Sequence, residues 1–182
     1  MINARMEKAA HSSAFRKPLA ARRCLVPADG WFEWRVTGRP GKYGKPGKQP
    51  YFMIRADAVP LAFAGLYEFW RDPRVADKND PAAWWVTYTI LTRPAEPGPL
   101  AQVHDRMPLV LDPSAWPDWL DPTLDQAAEG AAMMRTAAAV DAGRFRAVPV
   151  SPAVGNVANR GPELVAPIDI SGQPELALDW PV

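Results

Sequence analysis

Hydrophobic and polar positions along the chain predict short strands joined by irregular loops. Residues 11–23 are polar and basic, a loop or short helix leading into the first strand. Cys24–Pro27 and Trp31–Arg35 read as two extended pieces around the turn at Ala28-Asp29-Gly30. Gly38–Pro50 is rich in Gly, Pro and Lys and predicts a flexible hairpin loop. Tyr51–Arg55 and Leu61–Trp70 follow as strands, with a polar loop over Arg71–Ala83. Trp84–Thr92 alternates and carries β-branched residues, and Arg106–Leu111 reads as a further strand. Trp116 and Trp119 lie at helical spacing within Pro113–Leu120, and the Ala-rich Leu124–Val140 predicts the one longer helix. Phe145–Val150 reads as a last strand before an irregular tail from Pro152. No repeat or linker interrupts the chain. The pattern predicts one α+β domain over residues 1–182, with mixed or antiparallel strands and peripheral helices.

Composition sharpens this picture in three places. The 21 prolines argue against a helical bundle. No apolar run reaches the roughly 18–20 residues of a membrane span, and no export signal opens the sequence. The single cysteine, Cys24, rules out an internal disulfide and fits a reducing cytoplasm. Charge adds a fourth point through its distribution. Residues 1–55 hold twelve Lys or Arg against three acids, net +9, while the remainder is net −8. This asymmetry suits an electropositive face for an anionic polymer, or basic loops that are simply solvated.

The candidate chemistry begins with Glu33. It stands among Trp31, Phe32 and Trp34, where partial desolvation raises a carboxyl pKa and suits it to acid–base work. The alternative is a structural glutamate paired with an arginine. His104, in Val-His-Asp-Arg-Met-Pro, is placed either to move protons near neutral pH or to cap a turn. Cys24 follows Arg22 and Arg23, whose charges favour a thiolate, yet it opens an apolar run that suits a buried strand cysteine. His11 reads as solvated and Glu68 as structural. No phosphate-cradling Gly loop, metal-spaced Cys/His cluster or nucleophile elbow is present, so no metal or cofactor is expected.

Five segments, taken in order, resemble one family. They are Asn3-Ala4-Arg5 with Glu7; Arg23 to Trp34, reading RCLVPADGWFEW; Phe63 to Glu68, FAGLYE; Thr89 to Thr92 leading to His104-Asp105-Arg106-Met107-Pro108; and Val150-Ser151 with Val154, Asn156 and the stretch from Gly161. The chain is similar to the SOS response-associated peptidase (SRAP) family along nearly all its length. The resemblance implies a β-rich fold with a groove for single-stranded DNA containing abasic sites, acting as a cytoplasmic monomer that joins the nucleoid when bound. It also implies peptidase-type removal of the initiator Met and covalent, lyase-type chemistry. A cysteine at the mature N-terminus attacks the aldehyde of a ring-opened abasic sugar; its amine makes a Schiff base and its thiol closes a thiazolidine. By the same resemblance Glu33 assists ring opening, Asn3 holds the terminal amine and the sugar, and His104 moves protons. Arg5 binds phosphate beside the lesion, and Arg106 contacts phosphate or braces its loop.

One departure qualifies these expectations. In the family several dozen residues separate the reactive cysteine from the Asn-Ala-Arg motif, whereas Asn3 here follows only Met1 and Ile2. The chain therefore reads as an SRAP core lacking the N-terminal cysteine segment and inactive in cross-linking. The competing reading is a non-covalent single-stranded DNA-binding module, a degenerate pseudoenzyme. Loss of such a segment is expected to expose sheet edges and apolar surface.

Overall fold

A computed structural model of the chain describes residues 1–57, 59–123 and 142–172. They form an α+β fold in two compact units, each assembled from three separate stretches. The first comprises Met1–Pro27, Ala62–Arg93 and the described part of Pro108–Val140; the second comprises Ala28–Leu61, Pro94–Met107 and the described part of Asp141–Val182. The helix expected over Leu124–Val140 lies outside the described residues.

One sheet is built from β1 (Asn3–Arg5), β2 (Arg23–Ala28), β5 (Leu61–Arg71), β6 (Trp84–Pro94) and β7 (Arg106–Pro108). Its order is β1-β6-β5-β2, with β7 also paired to β6, and the first unit holds most of it. Gly65 on β5 lies where a side chain has no room: a Cβ there would come within 2.8 Å of the Cys24 thiol and 2.9 Å of Val26. Ala4, Ala64, Leu66, Leu91, Leu109, Leu111 and Trp119 close the core, with Ala9 of α1 (Met6–Ala9) and Leu19 of α2 (Arg16–Ala21). The hydrophobic gain of this burial follows the apolar area removed from water.

Arg23, the first residue of β2, is buried and locks the helices to that core. Its guanidinium donates to the carbonyls of Leu19, Ala20, Trp119 and Asp121, and lies 5.9 Å from the Trp119 ring centroid. Trp119 belongs to the short helix α4 (Trp116–Leu120), and its indole N–H donates to the Cys24 carbonyl at 2.9 Å. Local sequence explains the helix entry: Asp112 caps the turn at Pro113–Ala115 by accepting from the Ser114 N–H.

The far half of the β5–β6 ribbon leaves the core. Phe69, Trp70, Trp84, Trp85, Val86 and Tyr88 are all exposed. β1 runs parallel to β6 but covers only Ile90 to Thr92. Among the described residues, Trp84–Thr89 is paired on the β5 side alone. Among the described residues this ribbon thus carries an exposed edge and apolar surface.

The second unit holds an antiparallel sheet built from β3 (Trp31–Pro40), β4 (Pro46–Arg55) and β8 (Phe145–Pro149), in the order β3-β4-β8. Its strands reach further than the sequence suggests. The expected loop over Gly38–Pro50 is mostly ladder, with only residues 41–45 turning the corner and Pro40 opposite Pro46. Pro40 and Pro46 are tolerated because Pro40 ends an edge strand and Pro46 begins its strand. The corner itself uses positive φ at Tyr43 (58°) and Gly44 (72°). Trp31 meets Phe145 edge-on at 5.5 Å, and Gln49 donates to the Pro50 and Val150 carbonyls. The helix α3 (Pro99–Val103) packs against β3 and β8, and His104 follows it directly.

The strand expected over Arg106–Leu111 is shorter than predicted. β7 ends at Pro108, and Val110 makes an isolated bridge to Phe63. Leu109 and Leu111 still donate to the Leu91 and Ala62 carbonyls, so the backbone is satisfied without a regular ladder.

Candidate active site

Asn3 and Arg5 flank Ala4, whose burial turns both their side chains outward. Ala4 is 2% exposed, so a one-residue slip of this strand would bury both polar groups. The two side chains line a cleft of about 470 Å³ in the first unit, together with Glu7, Lys8, His11 and Ser12. His11, read from sequence as simply solvated, is therefore part of this wall. The signal that finds it is its spacing, three residues beyond Lys8 and six beyond Arg5.

Glu33, His104 and Arg106 belong to the second unit. Burial pushes the Glu33 carboxyl above its ordinary value. The His104 charge is the largest influence pulling it back, followed by the Trp31 indole, while Asp105 pushes it further up. Nothing in this set is an arginine. The charged neighbour that favours the ionised form of Glu33 is a histidine.

His104 is held by the backbone of Arg106. Its Nδ1 lies 3.0 Å from the Arg106 backbone nitrogen and 3.1 Å from the Arg106 carbonyl oxygen, with an Asp105 carboxylate oxygen at 3.3 Å. As the Nε2–H tautomer it accepts from the amide; with Nδ1 protonated it donates to the carbonyl or pairs with Asp105. The ring keeps a partner in either state, so it can change protonation without leaving its place. Of the two sequence readings of His104, the turn contact is present: it holds the ring against the Arg106 backbone. Arg106 contributes through its main chain, and its side chain is half-buried.

Two residues of this site escaped the sequence reading. Tyr51 faces Glu33 across the β3–β4 ladder. It is buried, and its hydroxyl pKa is raised by desolvation despite hydrogen bonding to Arg35. Arg35 lies on the same face of β3 as Glu33, two residues on. Neither carried a motif of its own; only the register shows that Tyr51, Glu33 and Arg35 share one face.

Cys24 is a strand residue. Burial pushes its thiol up, away from the thiolate. The two arginines before it are engaged elsewhere: Arg23 donates to main-chain carbonyls, and Arg22 pairs with Glu68 at 2.6 Å. Among the described residues no cluster of three or more His, Cys, Asp or Glu is placed to hold a metal ion, and no helix is long and apolar enough to cross a membrane.

A strand-rich α+β fold with the Asn-Ala-Arg strand, a desolvated Glu33 and the His104 loop defines a protein of the SRAP class. The SOS response associated peptidase (SRAP) family model matches residues 1–157, and the chain belongs to that family. It is 36% identical over 168 residues to the abasic site processing protein YedK of Escherichia coli (strain K12), covering 92% of this chain and 68% of that protein. YoqW of Bacillus subtilis (strain 168), also named an abasic site processing protein, is 33% identical, covering 91% of this chain and 66% of its own. HMCES of Gallus gallus, of the same description, is 30% identical across 92% of this chain and 50% of its own. A crystal structure of a protein from Bacteroides thetaiotaomicron superposes with a TM-score of 0.71 at 26% identity, covering 91% of this chain and 65% of that one. The chain thus spans half to two thirds of the length of these relatives.

Proposed function

We propose that this chain carries the abasic-strand recognition and acid–base residues of an abasic site processing protein. The relatives named above, all called abasic site processing proteins, support the substrate class. The observation that carries the reading is Glu33, whose carboxyl is raised by burial with His104 beside it. A carboxyl raised in this way retains a proton nearer to neutral pH, where it serves as a general acid. In this reading Glu33 protonates the ring oxygen of the abasic sugar as the anomeric hydroxyl proton is removed, which gives the open-chain aldehyde. His104 exchanges protons with the sugar hydroxyls. Asn3 holds the sugar and the attacking amine, and Arg5 and Arg106 bind single-stranded DNA phosphates. The protein acts as a monomer, in the cytoplasm and on the nucleoid.

Cross-linking needs a cysteine whose amine and thiol are both available, because thiazolidine closure joins both to the aldehyde carbon with loss of water. The Cys24 amine is committed to a peptide bond inside β2. The 182 residues by themselves are therefore proposed to bind abasic single strands without cross-linking them, which is the binding-module reading. The test compares a single strand carrying one abasic site with an intact strand, in native and denaturing gels. Expected is a native complex favouring the abasic strand, weakened by Arg5→Ala, with no band surviving denaturation. Absence of any complex would overturn the substrate class, and a surviving adduct would overturn the account of Cys24.

A further inference from the structure

We infer that a phosphodiester track of single-stranded DNA runs away from Asn3 and Arg5 over Lys8, His11 and Ser12, and that its bases turn onto the Phe15–Trp70 surface. The inference rests on the single-strand reading proposed above and extends it to residues to which that reading gives no role.

Arg5, Lys8 and His11 are spaced by three. Met6–Ala9 is helical, and the turn continues through His11 N–H to the Lys8 carbonyl and Ser12 N–H to the Ala9 carbonyl. Lys8 stands on this turn and His11 at its end, three residues on, while Arg5 closes β1 immediately before it, so the three cations follow one another along one short stretch of chain. All three are exposed and line the same cleft of about 470 Å³, with the Asn3 amide and the Ser12 hydroxyl as hydrogen-bonding groups. Glu7 is the single acid on that wall. Within residues 1–23 it stands against five Lys or Arg beyond Arg5.

A second cleft, of about 410 Å³, shares Phe15 with the first. Its lining includes Pro18, Leu66, Trp70 and the threonines Thr87 and Thr89. Trp70 is 49% exposed, a ring face open to stacking. The one carboxylate of this cleft, Glu68, is neutralised by Arg22 at 2.6 Å. A cationic stretch adjoining an aromatic surface matches the alternation of phosphate and base along a single strand. Free phosphate has no use for the aromatic side, and a duplex hides its base faces.

Fluorescence anisotropy with a labelled oligothymidylate, titrated at several salt concentrations, tests this. Lys8→Ala with His11→Ala is expected to weaken binding several-fold and to flatten log K against log salt by roughly 0.7 for each phosphate no longer neutralised. Lys8→Arg alone is expected to keep the slope. Trp70→Ala is expected to weaken binding at least about five-fold with the slope unchanged. Inorganic phosphate is expected to compete no better than chloride of equal ionic strength; stronger competition would overturn the strand in favour of a free anion. If the unmodified chain binds and Arg5→Ala weakens it while the Lys8, His11 and Trp70 variants bind like the unmodified chain, the track is wrong and the proposed function stands. If the unmodified chain does not bind oligothymidylate at all, the track is wrong, while the proposed function falls only if the abasic strand is not bound either. The substituted side chains are exposed, and matching thermal transitions establish that the variants are folded.

Discussion

Glu33 and His104 act on one another across the second unit: burial raises the Glu33 carboxyl pKa, and the His104 charge opposes that rise more than any other group. Removing the imidazole leaves desolvation and Asp105 without their main opponent. His104→Gln is therefore expected to move the Glu33 pKa further up, and Asp105→Asn to lower it. A carboxyl-carbon NMR titration of the three proteins reads this directly. A Glu33 midpoint unchanged in His104→Gln would show that the pair does not communicate.

The same raised pKa sets the sign of a stability effect. Between the ordinary glutamate value and the raised one, the folded chain binds more protons at Glu33 than the unfolded chain. Stability from this group is then present in full below the unfolded pKa and is lost as pH rises through the folded pKa. Glu33→Gln cannot titrate. Its stability relative to the unmodified chain is expected to rise from acid to neutral pH and then level off. Urea midpoints at matched pH values check this; a difference that shrinks as pH rises would reverse the sign.

The sequence made the strands legible where alternation or aromatic runs were strong, as in β5 and β6. It misled over Gly38–Pro50, because Gly and Pro mark turns on average while an edge hairpin accommodates them at its end. Of the candidate site, the sequence singles out Asn3, Arg5, Glu33, His104 and Arg106, each of which has motif neighbours. Tyr51 and Arg35 are not singled out, because their relation to Glu33 depends on a ladder register that no local pattern encodes. The pairing of Arg22 with Glu68, 46 residues apart, was invisible for the same reason.

Arg23 gives the largest expected loss of stability. Its guanidinium satisfies carbonyls at the ends of two helices, in a buried setting. Arg23→Ala leaves those acceptors without a donor, at about 1–3 kcal/mol for a buried group, so a total of about 3 kcal/mol or more is expected. Arg23→Lys keeps the charge but not the planar fork, and is expected to recover only part of it. Denaturant midpoints measure both. A loss under about 1 kcal/mol in Arg23→Ala would mean that solvent replaces the guanidinium.

Cys24 is expected to react slowly. Its thiol is raised by burial, so little thiolate exists at pH 8, and the thiolate is the nucleophile. Alkylation by iodoacetamide should be slower than for free cysteine in the folded chain and should reach the free rate in urea. A folded chain that reacts faster than free cysteine would restore Cys24 as a candidate nucleophile.

Gly65 tests the packing behind that cysteine. A Cβ at this position meets the Cys24 thiol at 2.8 Å and a Val26 methyl at 2.9 Å, both closer than carbon contacts allow. Neither neighbour sits at the far end of a flexible side chain, so the strain passes into the pairing of β2 with β5. Gly65→Ala is expected to cost about 1–3 kcal/mol. The cost has a specific partner, which separates it from a general dislike of alanine at this site. Cys24→Ala removes one of the two obstacles, so the double variant is expected to be more stable than the sum of the single losses. Coupling of this kind between touching residues runs from about 0.5 to 3 kcal/mol. A double-mutant cycle in urea measures it. Strict additivity would mean that Val26 alone carries the clash, and adding Val26→Ala would then recover the stability that Cys24→Ala does not.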